Sequence, residues 1–349
     1  MKLLVSALEP SANLHLENLL SEFPDSLNVE LEGIFDERFG LPILPSNSFG
    51  VMGFIDVLAK IPMAKRAIKE MAKAAAGCDA VLLIDSPAFN IPLAKAIKKS
   101  SPDTKIIYYI LPQVWAWKAK RVKVVEGVTD VRAAILPFEP KFWNDAVFVG
   151  NPLMDEIKEQ KQSVVTADIT AFLPGSRRSE IKRLMPIFRE AAKQIAGRKL
   201  LAVPPFIAEI DIGELYGDIG DFELVRDAKK ALFEASKAVV CSGTATLEAC
   251  IIGTPTVLVY KAKWLDYQIA KKFVKLNHIG LANIVSDFAG DEEIHPELIQ
   301  EDVTAANIIK ELDGLDEGLF LEKSKRLRER LSGKESSLPD IICRVSKGS

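Results

Sequence analysis

Apolar residues in the first half of the chain gather into short runs, separated by longer stretches in which apolar and charged positions recur at helical spacing. The runs at residues 3–7, 80–84, 105–110, 131–136 and 147–150 predict buried strands, and the stretches 14–22, 62–76 and 92–99 predict amphipathic helices. Strand followed by helix, repeated, is the pattern of a parallel sheet covered on both faces. A polar, charged segment at 151–166 interrupts the pattern, which resumes with strands expected at 169–174, 200–204, 222–225, 238–241 and 256–260. The last fifty residues read as helices. The chain therefore reads as two Rossmann-like halves joined near residue 160. The expected domains are residues 1–160 and 161–330, with 331–349 as a helical tail.

Length agrees with that division, because 349 residues are long for one core and ordinary for two. Hydrophobic residues make up 48% and charged residues 27%, a globular balance. A formal net charge of −3 supplies no broad basic field, so nucleic acid is not an expected partner. Cys78, Cys241, Cys250 and Cys343 form no CxxC pair and are expected to be buried apolar residues of a reducing compartment. The opening MKLLVSALEP reads as a first strand and not as a signal peptide. No apolar run approaches the roughly 18–20 residues of a membrane span. A cytoplasmic protein follows, with contact at a membrane surface left open.

Two turns in the second half carry candidate chemistry. The first is Leu173-Pro174-Gly175-Ser176-Arg177-Arg178-Ser179-Glu180, a strand end and a glycine turn entering a helix. Glycine admits close approach of a ligand, helix-start amides attract anions, and arginine adds a fixed-charge fork. A phosphate site fits these residues; so does a capped helix with solvated arginines. The second is Cys241-Ser242-Gly243-Thr244-Ala245-Thr246-Leu247-Glu248, again strand, glycine and helix, ended at Gly253. Glu248 lies about one turn into that helix, where a carboxylate can hold two ribose hydroxyls or merely complement the helix dipole. GxGxxG, Gly-x4-Gly-Lys-Ser/Thr, His-Glu-x-x-His and Asp-x-Asp are all missing from the sequence. With only His15, His278 and His295, neither a metal centre nor a cofactor is indicated.

In the first half, Asp85 ends the apolar run 80–84 and precedes Ser86-Pro87, at the sheet edge where α/β folds place ligands. Its plain alternative is a cap for the next helix. Trp115 and Trp117 follow another strand; aromatic faces suit sugar rings, and equally fill cores. Residues 52–73 mix Met52, Phe54, Ile55 and Leu58 with Lys65 and Arg66, a composition shared by interfacial helices and by core helices with a solvated face.

Together these segments resemble the lipid-A-disaccharide synthase family. The matching stretches are VMGFIDVL (51–58), IDSPAFN (84–90), YYILPQVWAWKAKRV (108–122), LPFE (136–139), FVGNPLMD (148–155), LPGSRRSEI (173–181), SGTATLEA (242–249) and Leu281-Ala282-Asn283. They run in family order to about residue 285. The resemblance implies an inverting transferase of GT-B fold, two Rossmann-like α/β domains facing across a cleft, with C-terminal helices returning to the first domain. It implies UDP-2,3-diacylglucosamine as donor, held mainly by Gly175, Ser176, Arg177, Ser242, Gly243, Thr244, Glu248 and Asn283. The implied acceptor is 2,3-diacylglucosamine 1-phosphate, in the N-terminal domain. Asp85 and Arg177 fall on the essential positions, and Asp85 would take the proton of the acceptor 6-hydroxyl while Arg177 and the helix-start amides neutralise departing UDP. No metal or cofactor is implied. The setting implied is peripheral, on the cytoplasmic face of the inner membrane of a Gram-negative bacterium, and a homodimer is admitted.

Two departures stand out. The family's first loop, Gly-Glu-x-Ser-Gly-Asp, is here Leu8-Glu9-Pro10-Ser11-Ala12-Asn13, so Glu9, Ser11 and Asn13 make up an acceptor loop expected to have another shape. The family's second acid beyond Asp85 is Ala88, which leaves Asp85 the only carboxylate of its turn. The alternatives kept within the fold are another UDP-N-acetylglucosamine-dependent transferase or an epimerase. Outside it stands a non-catalytic nucleotide-sugar-binding protein.

Overall fold

The computed structural model describes residues 1–49, 54–263 and 276–346, with side chains described except at 49 and 54–60. The chain forms two compact units, Met1–Glu156 with Leu331–Ser349, and Ile157–Arg330. Among the described residues the first unit has seven strands: β1 (Lys2–Ser6), β2 (Glu30–Phe35), β3 (Leu44–Pro45), β4 (Ala80–Ile84), β5 (Ile106–Tyr109), β6 (Val131–Ala134) and β7 (Ala146–Phe148). They are all parallel, in the order β3-β2-β1-β4-β5-β6-β7. The order reverses between β1 and β4, and a crevice opens beyond the carboxyl ends of strands at such a point.

The apolar runs are continuous because both faces of this sheet are covered. Leu4, Val81, Leu83, Ile106 and Tyr108 point into one core, with helices Phe54–Ala74 and Pro87–Ser100 against it. Their neighbours Leu3, Val5, Leu82, Ile84 and Tyr109 point into the other. The second core is closed by helix Pro10–Glu22 and by Leu338, Ile341 and Ile342 of the last helix, Leu338–Ser346. Burial of those three side chains explains why the end of the chain returns to the first unit.

The second unit repeats the plan with β8 (Ile169–Leu173), β9 (Arg198–Ala202), β10 (Glu223–Val225), β11 (Lys237–Cys241), β12 (Thr256–Tyr260) and β13 (Glu297–Ile299). Their parallel order is β10-β9-β8-β11-β12-β13, with the reversal between β8 and β11.

Several expectations need correction. Helices begin at Pro10, Phe54 and Pro87, and not at 14, 62 and 92. Proline at the first helical position costs no hydrogen bond, and Pro62 and Pro92 lie inside their helices. Strands β2, β3 and β13 were not anticipated. In β2, Glu30-Leu31-Glu32-Gly33 lacks an apolar run, yet Gly33 is required there: a Cβ would lie 2.2 Å from the Val5 carbonyl oxygen. Of the cysteines only Cys241 and Cys250 are buried, while Cys78 and Cys343 are half-buried. Met52 and the side chains of Phe54, Ile55 and Leu58 lie outside the described residues; Lys65 and Arg66 are exposed.

Candidate active site

The turns singled out from the sequence fall at the reversal points of the two sheets: that of Asp85 in the first, and 173–180 and 241–248 in the second. In the first unit, β1 leads to Glu9 and β4 leads to Asp85. Asp85 and Ser86 both adopt left-handed backbone, at φ +49° and +42°. Such conformations cost roughly 1–3 kcal/mol each and persist only where surrounding contacts impose them. Those contacts are present. The Asp85 amide donates to the Tyr109 carbonyl (2.9 Å), and the Asp85 carbonyl accepts from Tyr108 Oη (2.9 Å) and Asn90 Nδ2 (2.8 Å). Asn90 also donates to the Ile84 carbonyl (3.1 Å), and its Oδ1 accepts from buried Ser6 (2.6 Å). Ser86 occupies the cap position of helix Pro87–Ser100 without a side-chain cap bond, so Asp85 is not that helix's cap.

Burial raises the Asp85 carboxyl pKa above its ordinary 3.8, the negative charge of Glu9 adds to the rise, and a hydrogen bond from the Ser86 amide partly offsets it. Ser86 Oγ donates to Glu9 Oε1 at 3.4 Å. The structure thus brings Glu9 and Asp85 to one spot. A desolvated carboxylate of raised pKa is suited to accept a proton.

Ser11 is exposed in the first turn of helix Pro10–Glu22, while Asn13 is buried. Asn13 Nδ2 donates to the Ala7 and Glu9 carbonyls (3.0 and 2.9 Å), and Oδ1 accepts from the Asp36 amide (2.7 Å). An aspartate could accept but not donate twice, which accounts for the amide here. The stretch is a helix start clasped by Asn13.

In the second unit, the ends of β8, β9 and β11 enclose a cavity of about 690 Å³. Gly175, Ser176, Arg177, Ser242, Gly243, Thr244 and Glu248 all line it. Gly175 has φ +94°, and a Cβ there would lie 2.8 Å from Glu180 Oε2 and 3.3 Å from Cys241 Sγ. Helices Arg178–Ala192 and Thr244–Ile252 both begin at this cavity with no side-chain cap. Their first amides and their dipoles favour an anion. Arg177 is 78% exposed and donates to Glu180 at 2.7 Å; that carboxylate holds its pKa above the ordinary value. Arg178 departs from the expected pair, binding Asp211 at 2.6 Å.

The cavity also includes residues that were not anticipated: Arg226, Lys229, Pro204 and Pro205. Arg226 braces the wall by donating to the Pro204 and Ile207 carbonyls (3.3 and 2.7 Å). Its signal was its place directly after the strand expected at 222–225, at the ligand edge. Asn283 is not among the lining residues. It is fully buried, donates to the His295 carbonyl (2.8 Å) and Glu297 (2.9 Å), and accepts from the Ile294 and His295 amides. Among the described residues, no group of three or more His, Cys, Asp or Glu is placed to hold a metal. None of their helices is long and apolar enough to cross a membrane.

A family model described as lipid-A-disaccharide synthetase matches residues 3–336. A lipid-A-disaccharide synthase of Campylobacter jejuni (strain RM1221) is 48% identical, with 97% of this chain and 98% of that protein covered. One of Helicobacter pylori (strain HPAG1) is 46% identical over 95% and 94% of the two chains. The crystal structure of Acinetobacter baumannii MurG superposes with a TM-score of 0.57 at 13% identity, covering 99% of each chain, and supports the GT-B fold.

Proposed function

The chain belongs to the lipid-A-disaccharide synthetase family, a glycosyltransferase family, and from that premise we propose its substrates and the roles of its residues. The donor is UDP-2,3-diacylglucosamine and the acceptor 2,3-diacylglucosamine 1-phosphate. The product is the β(1→6)-linked disaccharide with release of UDP. Another UDP-sugar transferase, an epimerase or a non-catalytic binder is not favoured by a family match over nearly the whole chain.

The observation that carries the assignment of roles is the strained, desolvated Asp85 turn beside Glu9. Asp85 accepts the proton of the acceptor 6-hydroxyl as that oxygen attacks the donor anomeric carbon. The nucleotide lies in the second unit's cavity, its diphosphate at the two uncapped helix starts and Arg177, its ribose against Glu248. Departing UDP gains negative charge, and amides and arginine fixed in advance stabilise it without reorganising. Asn283 acts by holding the 294–297 segment that follows helix Leu281–Ala289, since its amide is wholly engaged there. Acylated substrates bring the enzyme to the cytoplasmic surface of the inner membrane, with Met52, Phe54, Ile55, Leu58, Lys65 and Arg66 as the contact.

Purified protein should release UDP from UDP-2,3-diacylglucosamine plus the acceptor and not from UDP-N-acetylglucosamine plus the same acceptor. Equal turnover of the two donors would assign it to another substrate class.

A further inference from the structure

Strand β5 is the direct neighbour of β4, whose end bears Asp85. The chain beyond β5 carries Trp115, Trp117, Lys118, Lys120, Arg121 and Lys123. Four cations thus lie within six residues, in a chain of formal net charge −3. Among the described residues none of the four is paired with a carboxylate. Like charges so close repel one another, and a bound anion removes that cost.

Two of the cations are held in place. Lys118 Nζ lies 4.0 Å from the Trp117 ring centroid and Arg121 Cζ 5.5 Å, against an indole that is 46% exposed. The platform behind is fixed as well. Trp115 Nε1 donates to Glu139 Oε1 at 3.2 Å, while Glu139 Oε2 accepts from the Ile135 and Leu136 amides, both at 3.0 Å. Glu139 is 1% exposed, and Trp115 meets Phe138 edge-on at 5.2 Å between centroids. The Ala116 and Trp117 amides both donate to the Gln113 carbonyl. A basic surface segment with no other duty needs neither a buried carboxylate anchoring it nor its charged heads set on a ring. Such anchoring lowers the cost of ordering on binding.

We propose that this segment binds the phosphate of the acceptor, a phosphomonoester dianion, with Arg121 and Lys118 as its ligands. Arg121 offers a planar fork and Lys118 a point charge, a combination matched to tetrahedral phosphate oxygens. Its place beside β4 brings the phosphate to the same sheet edge as Asp85. This deepens the acceptor assignment made above and rests on it. A bilayer of anionic headgroups is the rival occupant. It is less favoured because a diffuse surface charge does not require two cations held on one indole.

The test compares wild type with the Lys118→Gln/Arg121→Gln double variant on two short-chain soluble acceptors, alike except that one lacks the 1-phosphate. The variant should raise KM for the phosphorylated acceptor on the order of tenfold to a hundredfold, the scale of a lost charge-assisted hydrogen bond. KM for the phosphate-free acceptor, KM for the donor and the melting temperature should not move. Arg121→Lys, which keeps the charge, should retain most of the preference. Equal losses on the two acceptors would overturn the proposal. So would unchanged kinetics with lost binding to phosphatidylglycerol vesicles, which would assign the segment to the bilayer.

Binding is read separately from turnover by quenching of Trp117 fluorescence with the phosphorylated glycolipid alone, against Trp117→Phe. Quenching that the double variant abolishes, in a protein that turns over neither acceptor, would keep the phosphate site and discard the transferase assignment. Normal turnover with no quenching and no KM change in the variant would discard the site alone.

Discussion

Replacing Asp85 by Asn separates its chemistry from its structural duties. Asparagine is nearly isosteric and among the few residues that enter left-handed backbone readily, so the φ of +49° is kept. The backbone bonds to Tyr109, Tyr108 and Asn90 use main-chain atoms and survive the change. What disappears is the capacity to accept a proton, worth about 10²–10⁴-fold in rate for a positioned general base. Stability should move the other way. The folded pKa is raised, so the folded chain binds the proton more tightly than the unfolded one. Ionisation of Asp85 therefore weakens the fold as pH rises through the unfolded value, and that loss is complete above the folded pKa. At neutral pH, Asp85→Asn removes a buried charge repelled by Glu9 and should leave the melting temperature unchanged or higher. Steady-state kinetics should show a fall in kcat with little change in donor KM, and calorimetry an intact transition. A drop of several degrees in the melting temperature would mean that the carboxylate holds the turn together. Near-normal kcat would remove Asp85 from the role of base and nominate Glu9.

Glu9→Gln takes away one of the two causes raising the Asp85 pKa, so the acid limb of the kcat/KM profile should shift to lower pH; an unmoved limb would mean the two carboxylates do not communicate. Glu248→Ala should weaken UDP binding by about 1.5–3 kcal/mol, the scale of a hydrogen bond to a charged group, and calorimetric titration showing unchanged affinity would leave Glu248 a helix-start acid only. Asn283→Ala strands the Ile294 and His295 amides in a buried site and should cost about 2–4 kcal/mol of stability by denaturant unfolding, so a variant of normal stability and lost activity would return Asn283 to direct contact with ligand. Phe54→Ser with Lys65→Glu should release the protein from anionic liposomes in flotation, and wild type that never floats would end the membrane assignment.

What was legible in the sequence followed from burial. The run Ala80–Ile84 is wholly buried, and such a run reads as a strand in any context. Its last residue could be placed at the ligand edge because strand ends mark that edge. The glycine turns at Gly175 and Gly243 were legible for a similar reason, since small residues between a strand and a helix leave room for a ligand. What failed depends on partners distant in the chain. Strand β2 is held between β1 and β3, and Gly33 is explained only by the Val5 carbonyl facing it. Asn13 was expected in an acceptor loop that departs from the family pattern, and Asn283 among donor-binding residues because it sits in a matching segment. Their amides are engaged by groups 4 to 23 residues away, a fact the segment motifs do not carry. Asn90 and Tyr108 were inside quoted segments, yet their function as clamps on Asp85 appears only when strands β4 and β5 lie side by side.

The two units use one topological device to opposite electrostatic ends. In each, the strand order reverses beside the first strand of the unit, and the turn that leaves each strand there carries the distinctive side chains. In the first unit, that place gathers two carboxylates, burying one of them in strained backbone, and so raises a pKa. In the second it gathers two uncapped helix starts with Arg177, and so attracts an anion. A base needs its charge made less comfortable, whereas a diphosphate leaving group needs charge welcomed. Helix-start amides and an arginine beside Asp85 would lower its pKa and so disable it as a base. On the proposed roles, the repeated fold supplies one place for the base and another for the diphosphate.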